Sequence, residues 1–466
     1  MKFVSTRGTA PALGFCDTIL TGLAPDGGLY LPQEWPQISA EDIAGYAGKP
    51  YADIAFDVIK RFTANEIPQP ALRQMIDAAY ATFRHPSTTP LVELEPNHFI
   101  LELFHGPTLA FKDVAMQFLA RAMDYALTER GGRATIVGAT SGDTGSAAIE
   151  AFRGRDNIDI FILHPRGRTS DVQRRQMTTV LDDNVHNIAL EGTFDDCQKI
   201  VKGMFANAGF RDGVRLSGVN SINWGRILAQ IVYYFKAASD LGAPQRKVSF
   251  SVPTGNFGDI FAGYAATRMG LPVEKLIIAT NENDILARAL ETGRYETGTV
   301  TETASPSMDI QVSSNFERLL FEALDRDEAT TGQLMDSLNQ SGSFTIPGPA
   351  LEAIRQGFEA ARASEFETST TIADCHKRSG YLADPHTAVG IAVARRFSGG
   401  ATPVITLATA HPAKFPAAVK AAANVEPGLP VWLTDLHEKP ERMDVLENDQ
   451  DAVETYIKGR TRAWED

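Results

Sequence analysis

From residue 89 onward, short apolar runs alternate with longer segments in which apolar residues recur every three or four positions. The short runs are rich in β-branched residues and are predicted strands, at 98–104, 134–139, 158–164, 186–190, 214–220, 247–252, 275–280 and 403–409. The longer segments are predicted helices, at 112–128, from about 144, and at 170–180, 194–208, 223–240, 259–269 and 413–424. Strands that alternate with helices in this way build parallel sheets flanked by helices, so the sequence predicts an α/β fold.

The same pattern divides the chain into parts. Residues 1–88 lack the alternation and show helical periodicity at 50–63 and 70–83, so this N-terminal segment is predicted to be mostly helical. A Gly-Ala-Pro turn at 242–244 interrupts the alternation, which then restarts. Residues 291–350 are rich in Thr, Ser, Glu and Gly and are interpreted as a loop-and-helix insertion. We therefore predict an N-terminal segment, a first α/β lobe, a second α/β lobe and a polar, peripheral tail, at 1–88, 89–245, 246–435 and 436–466.

Composition and charge exclude some classes of ligand. Of the 466 residues, 43% are apolar and 22% are charged, the ordinary balance of a globular protein. With 44 Lys+Arg against 58 Asp+Glu, the net charge of −14 provides no overall attraction to nucleic acid or to an anionic membrane. An anionic ligand must therefore be held locally, by helix N-termini, backbone amides or a few cations.

The cysteines indicate the compartment. Cys16, Cys197 and Cys375 lie far apart and match no zinc or CxxC spacing, so neither a disulfide framework nor a metal site is predicted. No stretch approaches the roughly 20 apolar residues of a membrane span, and the first 15 residues contain no continuous apolar core of a secretory signal. We expect a soluble, cytoplasmic protein.

Four strand-to-helix junctions have unusual loops, and in parallel sheets ligands bind at such junctions. In the first, 253–259, Gly255 and Gly258 allow several N–H groups to converge in front of a helix, where a phosphate fits. The alternative is that the glycines serve turn geometry alone. No Lys-Ser/Thr pair follows, so the loop is not a nucleotide P-loop.

The second loop, 138–146, opens a helix with three glycines, small hydroxyl residues and Asp143. Such a loop suits a carboxylate or phosphate that is bound by amides and hydroxyls. The alternative is that Ser141 or Thr144 only caps the helix.

The third and fourth loops offer an amine and a hydroxyl. Lys112 stands in the first turn of a predicted helix, where the helix dipole and partial burial depress the pKa of an amine, as a nucleophile needs. The alternative is an ordinary lysine that reaches solvent. Thr409 ends a predicted strand, where its hydroxyl can meet a ligand, and Lys414 could hold an anion. A phosphate cradle, a carboxylate cradle, an amine and a hydroxyl together indicate a pyridoxal-phosphate enzyme.

The motifs of these loops resemble a known family. The segments HGPTLAFKD, ATSGDTGSA, PTGNFGD and ATAHPAKFP, with the opening STRG and GLAPDGGLYLP, are similar to those of the threonine synthases, in the longer bacterial and fungal branch. These are fold-type II pyridoxal-phosphate enzymes, related to the tryptophan synthase β subunit. The matches run in the family order from residue 5 to about 416.

The resemblance implies a two-lobed fold with parallel sheets, and roles for particular residues. Lys112 would be the Schiff-base lysine and proton shuttle, and Thr409 would bond the pyridine nitrogen. Asp143 stands where the wider fold group has an asparagine that meets the cofactor's 3-oxygen. The residues implied for the cofactor phosphate are Gly255, Asn256, Phe257, Gly258 and Asp259, and those implied for the substrate carboxylate are Thr140, Ser141, Gly142 and Thr144.

The resemblance also implies the reaction, in which O-phospho-L-homoserine and water give L-threonine and phosphate. A second anion site is then needed, and Ser221, Asn223 and Arg226 at another strand-to-helix junction could supply it, since arginine binds phosphate with two parallel bonds. The alternative is a helix cap beside a surface arginine. Lys414 is a further substrate-binding prediction.

Two other functions stay open at this point. One is a related phospho-lyase that releases a 2-oxo acid on the same scaffold, and the other is a non-catalytic pyridoxal-phosphate carrier. The expected state is a monomer or a homodimer.

Overall fold

The computed structural model of the chain describes residues 1–464. Its strands are β1 (Phe3–Ser5), β2 (Tyr30–Pro32), β3 (Leu91–Glu95), β4 (His98–Glu102), β5 (Ala134–Ala139), β6 (Ile158–Pro165), β7 (Val185–Leu190), β8 (Leu216–Ser217), β9 (Val248–Pro253), β10 (Val273–Thr280), β11 (Arg294–Glu296), β12 (Ser343–Thr345), β13 (Phe358–Arg362), β14 (Val404–Ala408) and β15 (Asp444–Leu446).

The helices surround and separate these strands. They are α1 (Phe15–Thr21), α2 (Ala40–Ala44), α3 (Tyr51–Thr63), α4 (Gln69–Tyr80), α5 (Lys112–Arg130), α6 (Asp143–Phe152), α7 (Asp171–Thr178), α8 (Phe194–Ala206), α9 (Ala208–Gly213), α10 (Trp224–Asp240), α11 (Gly258–Arg268), α12 (Ile285–Thr292), α13 (Phe316–Ala323), α14 (Glu328–Ser341), α15 (Gly348–Gly357), α16 (Glu365–Ser379), α17 (Pro385–Phe397), α18 (Pro416–Ala423) and α19 (Gln450–Lys458).

Two large sheets carry the fold. The first has the strand order β13-β10-β9-β14-β4-β3 and is parallel except for the antiparallel edge pair β3–β4. The second has the order β15-β7-β6-β5-β8 and is parallel throughout. Helices cover both sheets, as parallel strands with buried faces require. The prediction of an α/β fold with parallel sheets flanked by helices, preceded by a mostly helical segment, is confirmed.

The six-stranded sheet brings three of the predicted loops to one edge. Strands β9, β14 and β4 are neighbours, and Ala408 at the end of β14 is paired with Glu102 at the end of β4. Parallel strands end at the same edge of a sheet, so the loops that follow β9, β14 and β4 lie side by side. The first leads into α11, the second contains Thr409, and the third leads into α5. The loop between β5 and α6 comes from the other sheet.

The sheet topology corrects one interpretation of the sequence. Strand β4, which the sequence analysis assigns to the first lobe at 89–245, is hydrogen-bonded to β14, from the second half of the chain. Its neighbour β3 lies in the same sheet. An apolar β-branched run fits either sheet equally well, so its local pattern carries no information about its partner. The strand predicted at 214–220 is reduced to Leu216–Ser217.

Helix α10 lies at the centre of the molecule. Every residue from Trp224 to Ser239 is buried, including Arg226 and Lys236, although the sequence pattern predicts an amphipathic helix. It packs against α3, α5 and α11, and so joins the N-terminal segment to the helices that start at the site. A helix that is surrounded by others on all sides is buried all round.

The two segments that are hardest to read from sequence are ordered. Residues 291–350 contain the antiparallel pair β11–β12 and the helices α13 and α14. The tail is not peripheral, because β15 forms the edge of the five-stranded sheet and α19 buries Val453 and Ile457. The helix predicted at 413–424 begins as a short 3-10 turn, Pro412–Lys414, and continues as α18 from Pro416. No helix within residues 1–464 has the length and apolar character to cross a membrane.

Candidate active site

The amine of Lys112 lies at the buried start of α5. The residue is 8% exposed, its Nζ is 4.7 Å from the centre of the Phe111 ring, and Asp143 Oδ2 lies 3.6 Å away. Burial lowers the pKa of Lys112. The positive charges of Arg226 and Lys414 lower it further, whereas the negative charge of Asp143 raises it. The amine therefore loses its proton more readily than a surface lysine, as a nucleophile requires. This position excludes the solvent-exposed alternative.

The loop that leads to Lys112 is wound around Asp113. The N–H and the hydroxyl of Thr108 donate to the Asp113 carboxylate at 2.8 and 2.6 Å. A Cβ on Gly106 would lie 2.5 Å from the Asp113 side chain, and Leu109 has a φ of +62°, in the left-handed region. Burial raises the pKa of Asp113 to about 6, although the Thr108 bonds oppose this shift. The carboxyl group fixes the shape of the loop and hence the start of α5.

The Thr409 loop runs beside the lysine loop. Ala110 and Ala410 form an isolated antiparallel bridge, and the Phe111 N–H donates to the Thr409 carbonyl at 2.8 Å. The Thr409 side chain is buried, and within the part of the chain that the structure describes its hydroxyl makes no hydrogen bond. The hydroxyl is thus available to a ligand.

The 255–258 loop precedes the N-terminus of α11. Phe257 has a φ of +62° and is the residue before the helix, which begins at Gly258. A Cβ on Gly255 would lie 2.8 Å from the backbone oxygen of Ser307, so only glycine fits there without a shift. Asn256 is exposed at the tip of the turn. Loop amides in front of a helix N-terminus suit a phosphate.

Asp259 differs from the other residues predicted for the cofactor phosphate. Its Oδ1 accepts hydrogen bonds from the hydroxyls of Tyr233 and Tyr234, and Oδ2 is buried with no partner within residues 1–464. Burial raises the pKa of Asp259 to about 6 against the effect of these bonds and of Lys112 and Arg226. A carboxylate repels a phosphate, so the group that this residue can offer is its N–H.

In the 138–146 loop before α6, one hydroxyl is hydrogen-bonded within the loop and two are partly exposed. Thr140 Oγ1 accepts hydrogen bonds from the N–H groups of Gly142 and Gly145, both at 2.9 Å, so its side chain closes the turn and does not face a ligand. Ser141 and Thr144 are partly exposed. Gly142 has a φ of +144°, and a Cβ there would lie 2.4 Å from the Gln173 side chain.

Asp143 forms a buried ion pair with Lys414. The Lys414 Nζ lies 3.0 Å from Asp143 Oδ1 and donates to the Thr108 carbonyl at 2.7 Å, and the lysine side chain is fully buried. Burial alone would raise the pKa of Asp143, but Lys414 and Lys112 outweigh it, so the pKa lies far below its usual range. Asp143 is thus ionised. Lys414 is engaged with the protein itself, which favours a positioning role over direct binding of the substrate.

The loop before α10 contributes one cation. Arg226 is 3% exposed; its Nη1 donates to the Val219 carbonyl at 3.2 Å, and its Nε has no partner among residues 1–464. Burial lowers its pKa to about 10. Ser221 is partly exposed. Asn223 is fully buried and engaged, since its Nδ2 donates to the carbonyls of Ile19 and Gly218, and its Oδ1 caps α10. Asn223 therefore has no free donor for a substrate and serves as the helix cap, which is the alternative given above for this loop.

Sequence reasoning missed several residues that shape the site. Gln173 Nε2 donates to Asp143 Oδ1 at 2.9 Å, and Ser313 and Asn315 bind the carbonyls of the 255–258 loop. Gln173 lies in a predicted helix but 30 positions from its partner, and nothing in local spacing marks such a pair. Ser313 and Asn315 lie in the segment whose pattern is hardest to read.

The residues present fit pyridoxal phosphate. The buried cations Lys414 and Arg226 both lie close enough to Lys112 to lower its pKa, and Asp143 is the ionised acid beside Lys112 and Lys414. The Arg226 Nε within this group still lacks an acceptor in the described chain. Buried charge without partners is costly, so an anion is expected to complete the site. The 255–258 loop would hold the cofactor phosphate and the Lys112 amine its aldehyde, and Arg226 is left for a further anion.

Comparison with known proteins agrees with this geometry. The family model for the N terminus of threonine synthase matches residues 2–80, that for pyridoxal-phosphate-dependent enzymes matches 82–409, and that for the C-terminal part of threonine synthase matches 387–457. A threonine synthase of Pseudomonas aeruginosa is 53% identical over 459 residues, which cover 98% of each chain. The chain belongs to the threonine synthase family.

Solved threonine synthase structures share the whole fold. The crystal structure of a pyridoxal-phosphate-bound threonine synthase from Brucella melitensis is 62% identical, has a TM-score of 0.98, and covers 99% of this chain and 100% of its own. The yeast threonine synthase structure is 41% identical, with a TM-score of 0.93 and 98% coverage of both chains. Membership in the pyridoxal-phosphate-dependent enzymes also establishes the cofactor of this threonine synthase family member.

Proposed function

We propose that the chain converts O-phospho-L-homoserine and water to L-threonine and phosphate, the last step of threonine biosynthesis. The observation that carries this proposal is a buried amine, Lys112, in the same buried cluster as Arg226, whose Nε has no partner in the described chain. The amine suits the cofactor aldehyde, and the guanidinium suits the phosphate of a small substrate.

The reaction needs proton transfers at three carbons. When bound, the cofactor provides the electron sink that stabilises the negative charge left on the substrate after proton removal. Lys112 Nζ takes the protons from Cα and Cβ and returns one to Cγ. The bond between Cγ and the phosphate oxygen breaks, and the oxygen of water bonds to Cβ. Lys112 Nζ returns the second proton to Cα, and the proton that water loses goes to the released phosphate. Because its pKa is lowered, the Lys112 amine takes and gives protons more readily than an ordinary lysine.

The substrate is held at its two anionic ends. The α-carboxylate would bind at the α6 N-terminus, to the hydroxyls of Ser141 and Thr144. Thr140 and Gly142 would shape that loop, because the Gly142 N–H already donates to Thr140 Oγ1. The phosphate would bind to Arg226, with Ser221 as a neutral donor.

The cofactor is held by residues from both sheets. Its phosphate would bind to the amides of Gly255, Asn256, Phe257 and Gly258 and of Asp259 at the start of α11. Thr409 would bond the ring nitrogen through its free hydroxyl. Asp143 would lie near the 3-oxygen, with its charge balanced by Lys414.

The second candidate is a phospho-lyase that releases a 2-oxo acid from the same substrate. The two reactions differ in whether water is added at Cβ. The test supplies O-phospho-L-homoserine to the purified holoenzyme and quantifies threonine, 2-oxobutyrate and phosphate. We expect threonine and phosphate in equal amounts; a predominance of 2-oxobutyrate would favour the lyase, and no turnover would favour a non-catalytic carrier.

We also propose that the protein acts in the cytoplasm as a monomer or homodimer. The buried free thiols of Cys16, Cys197 and Cys375 support a reducing compartment. Small-angle scattering of the purified protein tests the oligomeric state, and fractionation of the cells that produce it tests the location.

A further inference from the structure

Residues 313–318 lie behind the 255–258 loop. The Ser313 hydroxyl donates to the Gly255 carbonyl at 2.6 Å. The Asn315 N–H and Nδ2 both donate to the Asn256 carbonyl, at 3.1 and 2.9 Å. Two successive carbonyls of the loop are therefore bound from the same side.

These bonds decide where the loop amides point. In a trans peptide the C=O of one residue and the N–H of the next point in opposite directions. Carbonyls of Gly255 and Asn256 that face Ser313 and Asn315 direct the N–H groups of Asn256 and Phe257 to the opposite side. Convergent N–H groups are what binds a phosphate.

The same residues also hold the loop that carries Arg226. Asn315 Nδ2 donates to the Ser221 carbonyl at 3.3 Å, and the guanidinium of Arg318 donates to the Ile222 carbonyl at 2.6 Å. Arg318 is fully buried, and its Nη1 donates to Asn315 Oδ1. Its Nε and Nη2 both donate to the Tyr30 carbonyl, at 3.0 and 2.8 Å. One side-chain pair thus reaches two loops and the N-terminal segment.

We infer that Asn315 and Arg318 are positioning residues that hold the cofactor-phosphate loop and the Ser221–Arg226 loop in one fixed arrangement. They act on the cofactor phosphate and the substrate phosphate through backbone groups and contact neither. Segment 291–350 therefore has a role in binding, because it supplies this brace. The part that concerns the substrate phosphate rests on the proposed function; the part that concerns the cofactor phosphate does not.

The first experiment separates the cofactor phosphate from the rest of the cofactor. The apo-enzyme is titrated with pyridoxal phosphate and with pyridoxal, which lacks the phosphate, and affinity is read from absorbance. Asn315→Ala should weaken the binding of pyridoxal phosphate about tenfold or more, and Ser313→Ala by a smaller factor, since each removes a side-chain donor to a carbonyl of the loop. Pyridoxal affinity should stay within about twofold.

A matched control is available in the same segment. The Ser337 hydroxyl donates to the Ser343 carbonyl at 2.8 Å, away from both loops. Ser337→Ala should leave both affinities unchanged. If Asn315→Ala weakens pyridoxal and pyridoxal phosphate equally, or neither, the inference is wrong, because a general loss of structure does not distinguish the two compounds.

The second experiment tests the link between the loops. With saturating cofactor, Arg318→Lys and Asn315→Ala should raise the KM for O-phospho-L-homoserine several-fold and change kcat less. An unchanged KM in both variants would contradict the link, and if Arg318→Lys does not fold, Asn315→Ala alone decides. Should the wild-type enzyme form no threonine, the proposed function fails, while the pyridoxal comparison still tests the brace.

Discussion

The charge of Asp143 depends on Lys414. Their side chains are both buried, and the Nζ to Oδ1 distance is 3.0 Å. By resemblance, the wider fold group has a neutral asparagine at this position, so the carboxylate of Asp143 needs a compensating charge. The structure shows that a buried ammonium compensates the carboxylate, so the pair introduces no net charge beside Lys112.

This pairing predicts a rescue. Lys414→Met should lower the free energy of unfolding by about 3–5 kcal/mol, because it leaves a buried carboxylate without its nearest cation. The double variant Lys414→Met/Asp143→Asn should recover most of that loss. Urea denaturation of the cofactor-free proteins at neutral pH measures both; a double variant as unstable as the single one would show that the pair is not coupled.

Asp259 gives a pH dependence of defined sign. Burial raises its pKa in the folded protein from 3.8 to about 6. Below pH 4 the acid is neutral in both states, and between pH 4 and 6 only the unfolded chain ionises it. Stability is therefore lost as pH rises through this window and is not regained above it.

Asp259→Asn removes this penalty and keeps an oxygen that can accept from Tyr233 and Tyr234. Relative to the wild type, the variant should gain stability from pH 4 to 6, reaching about 3 kcal/mol above pH 6. Denaturant titrations at several pH values measure the difference. A difference that does not change with pH would mean that Asp259 titrates normally in the folded state.

At the scale of elements, the strand-to-helix units could be predicted because their patterns are local. Strand β5 is the predicted 134–139 run, and α5, α6 and α11 start within one residue of their predicted positions. The site loops follow from these boundaries and from the residue types that they contain. The conformation of Phe257 at a φ of +62° could not be predicted, because surrounding contacts impose it.

The 255–258 loop has its own prediction. Gly255→Ala places a Cβ 2.8 Å from the Ser307 oxygen, which belongs to the backbone and cannot move alone. The loop must shift, so we expect pyridoxal phosphate affinity to fall at least tenfold, with the global fold retained by circular dichroism. Gly348→Ala is the matched control, since a Cβ on Gly348 meets nothing within 4 Å. Equal affinity in both variants would contradict the role of this loop.

At the scale of the whole molecule, long-range pairing is what the sequence leaves undetermined. Strand β4 pairs with β14, about 300 positions later, and β15 returns from the tail to pair with β7. Local periodicity predicts that a strand exists and not which strand it contacts. The role of the 313–318 segment could not be predicted for the same reason, because it consists of hydrogen bonds to loops that are distant in sequence.

The C-terminal segment should be essential for stability. Ile457 in α19 is fully buried in a core cluster with residues of the five-stranded sheet. Ile457→Ala should lower the free energy of unfolding by about 2–4 kcal/mol. Val431→Ala, at a side chain that is 87% exposed, should change it by less than about 0.5 kcal/mol. If both variants unfold alike, the tail is peripheral, as its polar sequence indicates.

The most direct test of the whole account locates the covalent attachment of the cofactor. The purified holoenzyme is reduced with borohydride and digested, and the peptide that carries the pyridoxyl group is identified by mass spectrometry. We expect the group on Lys112, and a Lys112→Ala variant without imine absorbance and without activity. A pyridoxyl group on Lys414 or on any other lysine, or an active Lys112→Ala variant, would contradict the account.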